Sequence, residues 1–155
     1  MKNRAFTLIE LLITVALIAL LASFTVPVFQ ILITQEQLSS AADQVVGLLR
    51  NSEQNTVTQQ KIYGVTFAAN AVTIPQFLCT NGNCTSGKVA QGAYNLPANI
   101  IISQVNFSGS SDVSFTTSGA PSVSGSLVLM DTSRNRRRTI QVQPSVAIQD
   151  NSPEF

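Results

Sequence analysis

From Phe6 to Ile33 the chain reads FTLIELLITVALIALLASFTVPVFQILI, apolar on every face of a helix and carrying a single charge, Glu10. At a helical rise of ~1.5 Å per residue the run predicts a rod of roughly 40 Å. A bilayer core needs only about 20 apolar residues. No soluble domain of this size buries such a rod along its whole length, so the run predicts membrane insertion, packing in a helical assembly, or one after the other. Beyond Ile33 the pattern turns amphipathic. Leu38, Ala42, Val45 and Leu49, with Val46 one position off, recur at the three-to-four spacing of a buried stripe, and Gln35, Gln37, Asp43, Gln44, Arg50 and Glu53 fill the other face. Gly47 weakens the helix by about 1 kcal/mol relative to alanine. Its end is predicted between Asn55 and Lys61, where Thr56, Val57 and Thr58 shift the propensity toward strand. Pro27 is the internal breaker and predicts a kink or a local melting of the rod.

From Lys61 the period changes to that of strands. Ile62 to Phe67 is β-branched and aromatic, and Ala71 to Ile74 follows, with Asn70 placed for a tight turn and Pro75 as a stop. Asn81-Gly82 centres another turn, flanked by Cys79 and Cys84. Later strands are predicted at Ile100–Phe107, Val113–Thr117, Leu127–Met130 and Thr139–Val142, with a further one at Val146–Ile148, separated by Ser- and Gly-rich links. One long helix followed by a run of strands predicts an α+β fold: a helix whose second half covers an antiparallel β-sheet domain.

Composition narrows the chemistry. With no histidine in 155 residues, a serine triad, a Cys-His dyad and any His-based metal site are excluded. No phosphate-cradling glycine motif is present, and the eight acids form no D-x-D pair. The chain is therefore expected to be a non-enzyme without cofactor or metal. Two cysteines in an exported domain predict a Cys79–Cys84 disulfide; two thiolates of a metal site are the alternative, and it lacks further ligands. Net charge is +1, and without Lys2 and Arg4 the side chains number seven basic against eight acidic, which gives no global basic field.

The flank of the apolar run decides how Glu10 is read. MKNRA supplies Lys2 and Arg4 and then the small residue Ala5, ahead of the run rather than behind it. A secretory signal has its small-residue cleavage site after the apolar stretch. A cut after Ala5 keeps the helix attached and leaves a new amine on Phe6, four residues from Glu10. Lys2 and Arg4 also place the N-terminus in the cytoplasm and the bulk of the chain outside. A lone acid at such a helix end is either a solvated interfacial residue or a functional site with a partner.

RAFTLIELLITVALIALLA resembles the signal of type IV pilins and type II secretion pseudopilins. The resemblance implies residues 1–5 as a leader, 6–33 as an inner-membrane and filament-core helix, and 34–155 as a periplasmic domain, helical to about 60. It implies a prepilin peptidase that cuts between Ala5 and Phe6 and N-methylates Phe6, with Glu10 as the assembly acid. Where the family usually has glycine before the cut, this chain has Ala5. The partners implied are other pilins in a helical filament. Val113–Gly119, with its F-x-x-x-G element, and the basic segment before a final strand pair are similar to GspH/FimT-type minor pilins and pseudopilins; Pro144-Ser145 stands where that group often has glycine.

Arg134, Arg136, Arg137 and Arg138 place four of the six arginines within five residues. Read as a turn, the cluster is solvated. It then either protects an edge strand or pairs with acids of a neighbouring subunit, or it binds DNA phosphates as some FimT-like pilins of uptake systems do. Residues 35–155 are neutral, and no aromatic side chain stands beside the cluster for stacking. The preferred expectation is a structural subunit of a pilus or pseudopilus; the alternative is a DNA-binding minor pilin.

Overall fold

Thr7 opens the helix. Its hydroxyl accepts the Glu10 N–H (3.4 Å) and its carbonyl accepts the Leu11 N–H, the arrangement of an N-cap residue. The computed structural model describes residues 7–80, 82, 84, 87–143 and 149–150, the side chains of 24–35 and 149–150 excepted. Helix α1 (Leu8–Gln59) runs through Pro27 and ends inside the predicted window. The chain divides within α1 into two compact units, Met1–Glu36 and Gln37–Phe155.

In the first unit two hydroxyls of the apolar run are satisfied by the helix itself. Thr14 Oγ1 donates to the Leu11 carbonyl and Ser23 Oγ to that of Leu20.

In the second unit, eight strands follow the helix: β1 (Tyr63–Thr66), β2 (Thr73–Cys79), β3 (Lys88–Asn95), β4 (Ile100–Phe107), β5 (Asp112–Ser114), β6 (Gly125–Asp131), β7 (Arg136–Val142) and β8 (Gln149–Asp150). All described pairings are antiparallel, but they form two sheets rather than one, in the orders β3-β2-β1-β5 and β4-β6-β7-β8. One core joins them to the helix. Leu38, Ala42, Val45 and Leu49 are buried as the spacing predicts, and they meet Val65, Phe67 and Val113 of the first sheet region and Ile102, Leu127, Leu129 and Ile140 of the second. The buried stripe continues through Ser52 and Thr56, the latter fully buried. Thr56 Oγ1 donates to the Ser52 carbonyl (2.7 Å) and accepts the Tyr63 N–H (3.0 Å), tying the helix end to the first strand.

Two expectations about strands change. The strand expected to stop at Pro75 passes through it, because the β1 ladder reaches only Gln76. Proline's missing N–H therefore falls where β2 has no neighbour on that side. Strand β3 is unpredicted: every residue but Tyr94 is exposed, so no alternating apolar pattern marks it. The expected strand at 146–148 lies outside the described residues.

The outer face of the first sheet carries a small cluster of its own. Phe77 is buried directly over Gly64, where a Cβ would meet its ring at 2.5 Å and the Val113 carbonyl at 2.7 Å. The Lys88 ammonium lies 4.9 Å from the ring centroid and pairs with Asp112, which also accepts a bond from Thr66 Oγ1 (2.6 Å).

Candidate functional site

Two regions hold the residues singled out in the sequence. The first is the start of α1. Glu10 stands in its first turn with an exposed side chain and, among the described residues, makes no ion pair. Thr7-x-x-Glu10 has the spacing of a capping box, of which the half from Thr7 Oγ1 to the Glu10 N–H is formed. Thr7 was the residue missed in sequence, although a threonine three positions before an acid at the head of an apolar run is its signal. Ala5 and Phe6 lie outside the described residues. From Leu8 to Leu21 the large apolar side chains, Leu11, Leu12, Val15 and Ile18 among them, are each more than half exposed. Among the described residues no helix is long and apolar enough to cross a membrane; the side chains of the run are described only as far as Ser23.

The second region is the β6–β7 connection, and here the expected open turn is corrected. Only Arg134 lies in the turn; Arg136, Arg137 and Arg138 belong to β7, whose side chains alternate between faces. Register sets the alternation. Arg138 is opposite Leu129 and Arg136 opposite Asp131, both buried on the helix side, while Arg137 is exposed on the other face. The Arg138 guanidinium donates to Ser39 Oγ on α1, so this arginine is tied to the helix and half-buried, not free in solvent. Asp131 is 2% exposed, and its Oδ1 accepts both the Ser133 N–H (2.8 Å) and the Ser133 hydroxyl (2.6 Å), which fixes the turn. Asn135, at φ 54°, completes it in the left-handed region.

Cys79 and Cys84 are joined in a disulfide, with their Cα atoms 5.1 Å apart, at the end of the β2–β3 hairpin. In the F-x-x-x-G element, Phe115 enters the core and Gly119 turns at φ 91° against Glu53 and Val57 of the helix. Among the described residues no group of three Cys, Asp or Glu side chains is placed to hold a metal ion.

Residues 1–26 match the prokaryotic N-terminal methylation motif. The second line of comparison is structural. The minor pseudopilin EpsH of the Vibrio cholerae type 2 secretion system superposes with a TM-score of 0.61 at 8% identity, covering 77% of this chain and 99% of that one. The type IV minor pilin FimU of Pseudomonas aeruginosa superposes at 0.58 with 12% identity, covering 77% and 91%; a second crystal form gives 0.54 at 11%. The chain has the minor-pilin fold. Its amino terminus matches the methylation motif, and its domain shares the fold of these minor pilins and pseudopilins. No curated protein matches it in sequence.

Proposed function

We propose that this chain is a minor pilin or pseudopilin: a structural subunit that a prepilin peptidase cuts between Ala5 and Phe6 and methylates on Phe6, and that then joins a helical filament of a type IV pilus or a type II secretion pseudopilus. The observation that carries the reading is the pairing of a methylation motif and exposed apolar helix with a pilin-fold domain. A continuous apolar surface of this extent needs lipid or partner helices to cover it. Residues 6–33 first insert in the inner membrane, with the N-terminus cytoplasmic and the domain periplasmic, and later pack against neighbouring helices.

Glu10 sets the docking position. Cleavage leaves an ammonium on Phe6, and an unpaired ammonium and an unpaired carboxylate are each costly in hydrocarbon. A subunit whose axial offset brings its amine to a neighbour's Glu10 satisfies both, so the pair specifies register more than stability. Glu10→Val is expected to leave membrane fractionation and cleavage unchanged and to deplete the protein from sheared filaments. Normal incorporation of Glu10→Val removes this role, and a mature chain that does not begin at Phe6 removes the whole proposal. The DNA reading draws less support. Of the four arginines only Arg134 and Arg137 are exposed, and two phosphate contacts give weak, salt-sensitive binding.

A further inference from the structure

The arginines that the structural role leaves unused lie at one particular end of the pilin-fold domain. The β5–β6 loop touches α1 near its C-terminus, where Gly119 packs on Glu53 and Val57. The far end of β6 is matched to Arg138, which touches α1 at Ser39. The β6 and β7 strands thus lie along the domain's share of the helix, and the turn between them sits at the end where the chain enters the domain, at Gln37. Ser39 stands only six positions beyond Ile33, the last of the apolar run. Even fully extended, six residues reach roughly 20 Å, and as helix about 9 Å. However the chain bends there, Arg138 stays tethered close to the end of the apolar run, and Arg136, Arg137 and Arg134 follow it along β7 into the turn.

We propose that Arg134 and Arg137, the two exposed arginines of the cluster, bind the phosphates of anionic phospholipids in the bilayer that holds residues 6–33, docking the domain on the membrane before assembly. This rests on the membrane insertion proposed above. A guanidinium matches a phosphodiester with two parallel hydrogen bonds and keeps its charge at any physiological pH. Among the described side chains, Glu36 and Asp43 are exposed on the helix on either side of Ser39, and Asp131 is buried with one oxygen engaged by Ser133. Arg138 holds β7 on the helix, and the Asp131 turn fixes the connection from which Arg134 and Arg137 project. Each arginine near an anionic surface contributes roughly fivefold in binding, an effect lost beyond a Debye length of about 8 Å. The tether thus favours lipid over DNA, since it raises the encounter of the cluster with a bilayer and does nothing for a nucleic acid in solution.

The test uses the full chain in nanodiscs of phosphatidylcholine alone or with phosphatidylglycerol, read by amide hydrogen exchange. The segment 131–138 is expected to exchange at least about fivefold more slowly in the anionic discs. That difference should vanish in the combined Arg134→Gln, Arg137→Gln variant and at about 1 M salt, where screening shortens to ~3 Å. Unchanged protection of Ile100–Phe107 shows that the variant is folded. Equal exchange of 131–138 in both discs, with the apolar helix protected, overturns the proposal and leaves membrane insertion standing. An unprotected apolar helix overturns insertion, and the proposal with it. Slowing by a short DNA duplex in phosphatidylcholine discs, without slowing by phosphatidylglycerol, overturns it in favour of nucleic acid.

Discussion

Thr56 shows how one side chain decides where an element ends. By propensity Thr56-Val57-Thr58 belongs in a strand, yet Thr56 is fully buried in the last turns of α1. Its hydroxyl satisfies itself on the helix by donating to Ser52 and uses its lone pair to accept the first strand's Tyr63 N–H. The local competition between hydroxyl and backbone that disfavours threonine in helices is here put to use at the junction. Thr56→Val keeps the volume and removes both bonds, leaving the Tyr63 N–H without its acceptor. It is expected to destabilise the domain by about 1–3 kcal/mol in urea unfolding. A loss below ~0.5 kcal/mol would show the junction to be held by packing alone.

At the scale of elements, what was legible in the sequence depended on whether burial was periodic. The helix stripe from Leu38 to Leu49 and strands β1, β4 and β6 have apolar residues at the period of their structure, and they were read close to where they lie. Strand β3 has no such period, since it is an exposed edge held by its ladder to β2 and by the Lys88 contacts. The arginine cluster failed for a related reason. Whether four arginines make a turn or a strand depends on register, and register follows from Leu129 facing Arg138 across two strands. Glu10 stands out in the sequence because a charge in an apolar run is conspicuous; Thr7, three positions ahead of it, carries the weaker signal of a capping spacing, and its hydroxyl accepts the Glu10 N–H. The β2–β3 hairpin supplies a prediction. Thr80 donates from N–H and hydroxyl to the Gly87 carbonyl just inside the Cys79–Cys84 bridge. The closed loop is short, so reduction is expected to lower stability by about 2 kcal/mol. Denaturant midpoints with and without reductant, at equal pH, measure it; coincident midpoints count against any stabilising role.

Across the whole molecule charge is sparse, at 11% of residues, and pH acts on stability through few groups. Tyr94 packs beside the core, and burial raises its phenol above the ordinary value of 10.0. The folded state therefore holds this proton more tightly than the unfolded chain. The associated stability is intact below pH ~10 and declines as pH rises through the raised value. Tyr94→Phe should show a shallower decline than wild type above pH ~10 in urea titrations of the detergent-solubilised chain; parallel curves would assign the alkaline loss elsewhere. The two ends of the domain's helix have a further, mechanical consequence. Near its entry the helix is bonded to β7 through Ser39 and Arg138, and at its exit it is bonded to β1 through Thr56 and Tyr63. In the filament proposed above, tension pulls each subunit along that helix. Both bonds and the ladders behind them then resist together in shear, so the domain yields as one block instead of peeling open from either end.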